Sequence, residues 1–426
     1  MSQLDSQNRF PDCVLMKLHR SSASSEQPAA MSLPATVQRP VAPSYAVHLH
    51  LTIRFGQQEI KLPEGRVWFG LKRGLLKLKL ENGKIPTGNM GLTPTVELEL
   101  VREQPEYNQA GEANIAVAGG VSTQDAVKRS SHMMSRSCQV STTGTEEAPV
   151  WEFAVETSEA ILEGQLTEAW LGTIEANTQL SGVSATFEVW GQRDICLTHA
   201  EGLWATDISR NKEALLEREF FLRFIKPKLQ PYLSQVGGAA MSEPEFQISE
   251  EAFREFQAIV RQVEAAETDN FLKLAKLLGR DPKRGFIGAN LNRADLYGDF
   301  IGAYLLGADL RGANLDHVTL NNASLDGADL RGANLSHAKF SHASLRDVNL
   351  SGANLSHAIL HRASLSGADL SGADLSEAQM PASAQNARFS NVVGLSEEQK
   401  LYLQQRGAIF EDDADDQESA DASSPD

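Results

Sequence analysis

From Phe286 a large apolar side chain returns at every fifth position: Leu291, Leu296, then Phe300, Leu305, Leu310 and onward in step to Leu375 and Met380. One residue is missing near Gly298. Two places before nearly every large residue stands Ala, from Ala289 to Ala378, with Gly298, Val318 and Val348 as exceptions. In extended backbone, residues two apart point the same way, so the Ala and the large residue face inward and the Asn, Asp or Ser between them faces water. The other two residues must turn a corner. They are commonly Ser-Gly, Arg-Gly, Asp-Gly or Ser-His, small or turn-forming pairs that reset the phase. Neither a helix nor a flat strand has this period.

A second period fixes the number of sides. Residues 311–330, 331–350 and 351–370 place like residues under like, so four pentads make one coil. Twenty pentads then give about five coils, and at a sheet-like spacing of ~4.8 Å the rod is about 24 Å long. The expected core is Leu315, Leu335 and Leu355 in layers with Ala313, Ala333 and Ala353. Such a tube is filled by its own side chains and leaves no room for a substrate.

Elsewhere the periods differ. Residues 1–44 are rich in Ser, Pro and Gln and read as a disordered arm. From Tyr45, Val47, Leu49, Leu51, Ile53 and Phe55 alternate with polar residues, the mark of a half-buried strand. Strand patterns follow at 67–71, 76–80, 95–101, 151–156, 161–166, 171–176, 185–190 and 195–198. Together they predict a β-sandwich or barrel over 45–236, closed by a helix over 211–225 that Pro227 stops. Within it, 103–149 reads as a disordered insertion whose Lys128, Arg129 and Arg136 lie in a solvated loop. Residues 237–283 form a linker and a helical pair: Phe253, Phe256, Val260 and Val263 share one face, and Phe271, Leu274, Leu277 and Leu278 another. This pair is expected to cover the first coil, because stacked repeats need an end cap. The repeat domain runs over 284–393, a capping segment with a short helix at 396–405 lies within 394–410, and 411–426 is an acidic, disordered tail.

Ala-Asp/Asn-Leu followed by two variable residues, in tandem over 286–380, resembles the pentapeptide-repeat family. The resemblance implies a mainly β fold: a right-handed quadrilateral β-helix with helical caps, here joined to an N-terminal β-sandwich or barrel domain. The ending GLSEEQKLYLQQRGAIFED from Gly394 is similar to the closing segment of cyanobacterial members.

The formal charge of −17 argues against nonspecific nucleic-acid binding, which needs clustered Lys and Arg to displace phosphate counterions. Eight of the acids lie in the tail from Glu411. Cys13, Cys138 and Cys196 are too scattered for a disulfide framework or a ligand pair, and with no membrane-length apolar run the expectation is a cytoplasmic protein without membrane contact. The twenty-residue register stacks His317, His337 and His357, with Glu377 next, and sets His342 and His361 on neighbouring columns. Zinc needs ligands converging at about 2.0–2.1 Å, whereas stacked side chains run parallel, so the column is read as an exposed ladder and not as a metal site. Protonation near pH 6.5 is expected to make that ladder mildly pH-sensitive. Asn314, Asn334, Asn354 and Asp374 form a second ladder, Ser324, Ser344 and Ser364 a third, and Asp309, Asp329, Asn349 and Asp369 a fourth, with Arg311 and Arg331 offsetting the first two aspartates. His48 and His50 share a strand face but lack a third ligand. No cofactor is implied, and no nucleophile elbow, Walker loop, zincin helix or dinucleotide fingerprint occurs.

The expectation is therefore a non-catalytic protein-binding or scaffolding protein with an unidentified protein partner, monomeric or paired through a solenoid end. DNA mimicry against a topoisomerase is an alternative implied only by the resemblance. Residues 284–380 hold seven basic and ten acidic residues, a weak bias for imitating duplex phosphates. An enzyme with its site in the β-domain is the remaining alternative.

Overall fold

The computed structural model describes residues 6–8, 10, 12–22, 45–92, 95–100, 135–155, 161–176, 182–189, 191–229, 233–236, 249–281 and 283–411. They fall into two compact units, Met1–Gln58 with Gly70–Val189 and Pro231–Ser242, and Glu59–Phe69 with Trp190–Gln230 and Glu243–Asp426. In chain order the strands are β1 (Ser6–Asn8), β2 (Val14–Ser22), β3 (Tyr45–Phe55), β4 (Gln58–Leu62), β5 (Gly65–Leu71), β6 (Arg73–Glu81), β7 (Thr95–Glu99), β8 (Ser135–Gly144), β9 (Pro149–Ala154), β10 (Gly164–Ala176), β11 (Gly182–Glu188), β12 (Ile195–Glu201), β13 (Ser234–Val236), β14 (Arg388–Ser390) and β15 (Ile409–Glu411).

The first unit is one ten-stranded antiparallel sheet in the order β1-β13-β11-β6-β9-β8-β7-β10-β3-β2. Strand β2, at one end of that order, lies against β13 near the other, so the sheet curls almost into a barrel. The alternation in β3 holds: Leu49, Leu51, Ile53 and Phe55 are buried. Phe55, Phe153 and Phe187 meet at ring separations of 5.5–6.2 Å, and the Trp151 indole N–H donates to the Gly91 carbonyl at 2.8 Å. Three expectations need correcting here. Part of the supposed arm is strand: Val14, Met16 and Leu18 alternate inward along β2, a short pattern that the Ser- and Pro-rich stretch after it had masked. The insertion expected over 103–149 ends early, since β8 and the start of β9 occupy 135–149, while 101–134 lies outside the described residues. The strands expected at 161–166 and 171–176 are a single bent β10, whose register against β3 slips after Leu166 and again after Trp170.

The second unit holds the three-stranded sheet β12-β5-β4, the helices and the solenoid. Helix α1 (Arg210–Phe220) is capped by Ser209, whose hydroxyl accepts from the Lys212 N–H. Pro227 does not stop it. A π-helical turn over Phe221–Ile225, closed by the Lys226 N–H on the Phe221 carbonyl, carries the chain into α2 (Lys226–Leu229). The wider turn relieves the clash a proline ring makes with a preceding carbonyl. Helices α3 (Glu250–Glu264), α4 (Phe271–Leu277) and α5 (Glu397–Gln404) follow.

The solenoid is four-sided. Parallel bridges tie Asn314 to Asn334 to Asn354 and every other column at twenty-residue steps. The step shortens to nineteen where the coil crosses Gly298 and again past Met380, where Ser364 meets Ser383. Ala313, Ala333, Ala353, Leu315, Leu335 and Leu355 are all buried. The motif follows from the fate of its five backbone N–H groups. In the pentad around Leu335, Asn334 N–H donates to Ala313 in the previous coil, and Leu335 and His337 N–H donate to Asn354 and Ser356 in the next. The N–H of Ala338 closes the corner on the Leu335 carbonyl. The one left over, on Ser336, is taken by the Asn334 side-chain oxygen at 3.2 Å. A small acceptor between Ala and Leu thus satisfies the one donor that the backbone of the neighbouring coils leaves unpaired, a task that Asn321 and Asp326 of the previous coil perform for Ser341 and Arg346.

One continuous core runs from Ala214 and Leu215 of α1 and Phe271, Leu274 and Ala275 of α4, through the repeats, to Leu403 of α5. The expected cap is therefore half right. Helix α4 covers the first coil, its Phe271 4.6 Å from Phe286, but its companion is α1. Helix α3 lies one layer out, with Phe256 against Phe220 and Phe224. The helix assigned to the β-domain belongs to the solenoid. At the far end, β15 pairs in parallel with β14 and Phe410 stacks on Phe389 at 5.1 Å.

Candidate docking surface of the solenoid

Each face is named here by its central column. Around the tube come an aspartate face (Asp309, Asp329, Asn349, Asp369), an asparagine face (Asn314, Asn334, Asn354, Asp374), a lysine face (Thr319, Lys339, Ile359, Gln379) and a serine face (Ser324, Ser344, Ser364, Ser383). The second residue of nearly every corner adopts positive φ, as a turn with its third position left-handed requires; the shortened corner after Met380 is an exception. Glycine takes that conformation freely, and Gly312, Gly332, Gly352 and Gly372 occupy consecutive corners of the edge between aspartate and asparagine faces, with Arg293 and Asn391 at its two ends.

The two edges of the lysine face are built differently. One carries His317, His337, His357 and Glu377 at φ of 56–57°, and the other Asn322, His342 and Arg362 at 58–61°. Each of these side chains is exposed. The three stacked imidazoles sit 4.4 and 4.7 Å apart with ring planes within 3° of parallel. Asp316 lies 3.8 Å from His317 and Glu377 3.2 Å from His357, one at each end of the ladder. With rings parallel, their nitrogens lie side by side; among the described residues no group of three or more His, Cys, Asp or Glu could hold a metal ion. His361 precedes Arg362 on the opposite edge, so five of the protein's ten histidines border this face. Sequence reasoning found the columns but missed that two of them bracket one face, and that their members stand where glycine stands elsewhere. The glycine edge at 312, 332, 352 and 372 was the signal that could have shown it.

On the asparagine face, amides link coil to coil, Asn334 to Asn314 at 3.1 Å and Asn354 to Asn334 at 3.4 Å. On the aspartate face, Arg311 donates Nε and Nη2 to Asp309 at 2.7 and 2.5 Å, and Arg331 engages Asp329 likewise at 2.9 and 2.7 Å. These pairs neutralise the carboxylates that stack there. In the first unit, His48 Nδ1 lies 2.9 Å from the Thr173 hydroxyl, and His50 is paired across the sheet with His19, a neighbour the sequence did not suggest. Burial pushes the Cys138 thiol up to about 12, with Glu97 adding to the effect, and raises that of Cys13 further. Both thiols are inert at neutral pH.

A cleft of about 230 Å³ in the second unit is lined by His199, Trp204, Glu213 and Glu217 among others. Its carboxylates are already engaged. Arg210 donates to Glu213 at 3.0 Å and to Glu217 at 2.9 Å, and the Asn290 amide adds a bond to Glu217 at 3.1 Å. The cleft therefore braces the cap.

Residues 286–336, 313–352 and 349–381 match the family model for pentapeptide repeats, in 8 copies. Through these residues the chain belongs to the pentapeptide-repeat proteins. Among solved structures it is similar to HetL, a pentapeptide repeat protein involved in heterocyst differentiation regulation in the cyanobacterium Nostoc sp. strain PCC 7120. The identity is 29% and the TM-score 0.26, over 30% of this chain and 56% of that one. A pentapeptide repeat protein of the Arabidopsis thaliana thylakoid lumen matches at 30% identity and a TM-score of 0.21, over 28% of this chain and 81% of that one. QnrB1, a plasmid-mediated fluoroquinolone resistance protein, matches at 23% identity and a TM-score of 0.19, over 30% of this chain and 64% of that one. The family assignment rests on the repeat match and on the register and core above, not on these superpositions. No curated protein matches the chain.

Proposed function

We propose that this is a non-catalytic protein-binding or scaffolding protein that presents the faces of a rigid solenoid to another protein. The observation that carries the reading is the filled tube. Its interior is Leu, Phe and Ala at nearly zero exposure, and its backbone donors are consumed between coils, so the face and edge side chains are the chemistry it has to offer. Four chemically different faces on a stiff frame suit recognition, because little conformational entropy is lost when a preorganised surface binds. Topoisomerase binding by DNA mimicry is not favoured, since Arg311 and Arg331 pair with Asp309 and Asp329 in the column where aspartates stack. No described helix is long and apolar enough to cross a membrane, and the free, buried thiols of Cys13 and Cys138 suit a reducing compartment such as the cytoplasm.

The test uses the full-length chain with a photocrosslinking amino acid placed, one at a time, at Asp329, Asn334, Lys339 and Ser344, one position per face of a single coil. A discrete protein adduct from one face or two adjacent faces is the expected result. Equal adducts from all four positions, or none from any, would defeat the reading.

A further inference from the structure

The repeats supply their own control, because each surface position of the first coil can be read against the same position farther along the rod. At the corner between lysine and serine faces stands Ile301, where the following coils put Asn321, Ser341 and His361. In the centre of the serine face stands Tyr304, followed by Ser324, Ser344 and Ser364. At the corner between serine and aspartate faces Ile287 and then Leu306 precede Asp326, Arg346 and Ser366, and Tyr297 stands where later coils have Asp316, Ser336 and Ser356. Ile287, Tyr297, Ile301 and Tyr304 are 37–49% exposed, while the core of the same coil is filled by Leu291, Leu296, Phe300 and Leu305. Surface positions that are polar farther along are thus apolar or aromatic at the capped end. Apolar surface rimmed by polar groups marks a place of association.

Cations surround this band. Lys283 lies one step before Tyr304 in the serine column, its carbonyl accepting the Tyr304 N–H at 2.6 Å, and the Arg284 guanidinium sits 5.7 Å from the centre of the Tyr304 ring. Helix α4 comes against the other side: the Asn270 side chain donates to the Tyr297 carbonyl at 3.3 Å, and Leu272 Cδ1 lies 3.5 Å from where a Cβ on Gly298 would stand. The arc of α4 turned away from the core is Leu272, Lys273, Lys276 and Leu277, apolar and cationic together. Lys273, Lys276, Lys283 and Arg284 form no ion pair with any described residue, whereas Arg280 between them in the chain is bound to Glu219. The carboxylates within the band are Asp281 and Asp299, each accepting a backbone N–H at 2.9 Å, from Lys283 and from Ile301. Four unpaired cations against two carboxylates leave the band positive on a chain whose formal charge is −17.

We infer that this first-coil band is where a partner protein docks, and that the partner presents an acidic segment carrying aliphatic or aromatic side chains. The apolar groups of that segment cover Ile301 and Tyr304, and its carboxylates meet Lys283, Arg284, Lys273 and Lys276. Tyrosine and arginine are the side chains that dominate binding energy once a partner excludes water from them, and here Arg284 is already held by the Tyr304 ring, so it has less freedom to lose. Cations that are unpaired in the free protein can meet a partner's carboxylates without first breaking an internal pair. An anionic membrane also offers negative charge and apolar depth, but its surface extends past the band and meets the rest of this acidic chain within a Debye length of ~8 Å. A peptide meets the local charges alone. The inference names the partner chemistry of the docking function proposed above and rests on it.

The experiment is fluorescence anisotropy on the full-length chain with three labelled pools of twelve-residue peptides: Asp and Glu mixed with Leu, Ile and Phe, the same acids mixed with Ser, and Lys mixed with Leu, Ile and Phe. The first pool alone is expected to bind. Two full-length variants test the two halves of the band. In one, Ile301→Asn and Tyr304→Ser install the residues that the next coil carries at those positions, which keeps the turn chemistry of the repeat. In the other, Lys273→Gln, Lys276→Gln, Lys283→Gln and Arg284→Gln change exposed side chains only. Each variant is expected to weaken binding by about ten-fold or more with an unchanged circular dichroism spectrum. No binding of the first pool to the parent, equal binding of all three pools, or binding that survives both variants overturns the inference. Parent bound to vesicles of phosphatidylcholine and phosphatidylserine, and released by the same substitutions, with no peptide binding, overturns it in favour of a lipid surface. A discrete protein adduct in the crosslinking experiment, with no peptide binding here, defeats this inference alone and leaves the docking function standing.

Discussion

The carboxylate of Glu219, 1% exposed, receives both Nε and Nη2 of Arg280 at 2.6 Å, and Arg223 engages its second oxygen as well. One end of this pairing belongs to α1 and the other to the segment that leads from α4 into the first coil. It locks the cap onto the rod. Replacing Glu219 by Ala removes the buried partner of two guanidinium groups that are themselves partly exposed, and losing charge-assisted hydrogen bonds of this kind costs about 1.5–3 kcal/mol. The expected outcome is a fall of that size in the denaturant-derived stability of the second unit, read by a fluorophore placed on the repeats.

Leu215 of α1, 1% exposed, is part of the core that closes the first coil. Leu215→Asp puts a charge into that seam and opens an apolar, unpaired coil edge, the kind of surface that pairs with another copy. Light scattering across a concentration series should show self-association in the variant. A variant of unchanged, concentration-independent mass would mean that α4 suffices as the seal.

Gly332 and His337 occupy equivalent corner positions at φ of 62° and 56°. A Cβ built on Gly332 meets nothing within 4 Å, so Gly332→Ala isolates the backbone penalty of roughly 1–2 kcal/mol. His337→Gly removes the same penalty together with two ring stacks, so it should leave the unfolding midpoint unchanged or raise it. Chemical denaturation of the two variants checks both signs. A loss in His337→Gly as large as in Gly332→Ala would show that stacking outweighs strain.

Asp374 closes the asparagine ladder. The side chain of Ser376 and its backbone N–H, the latter donating at 2.9 Å, hold its carboxyl below the ordinary aspartate range, with His357 adding a smaller effect. A carboxyl whose folded-state value is depressed stabilises the fold above its unfolded value of about 3.9, and that contribution disappears as pH falls through the lower, folded value. Asp374→Asn should therefore melt below the parent at pH 6, with the gap closing below about pH 4. A gap that persists at pH 3 would contradict the assignment.

The sequence showed the tube more fully than its closure. Coil register was legible because Leu335, Asn334 and Ala333 each recur at twenty residues with the same role, and local backbone bonding enforces that role. Helix α1 was misplaced because it follows β12 directly in the chain and its amphipathic pattern does not say which apolar surface it will cover. Strand β2 was lost because its alternation of Val14, Met16 and Leu18 is brief beside a long polar stretch. The histidine column was visible, but its strain was not. That required knowing that the corner's second residue is left-handed, which the recurring Gly312, Gly332, Gly352 and Gly372 imply once the turn is drawn.

Helices α1 and α4 precede the repeats, whereas Leu403 of α5 comes after them. A ribosome therefore delivers the starting block before the first turn of the tube and the stopper only at the end. Winding can advance from a finished base, each new turn laid on the one already made, while the newest rim stays open until α5 has been made. Pauses between the repeats and α5 would prolong that open rim, and pauses before the repeats would not.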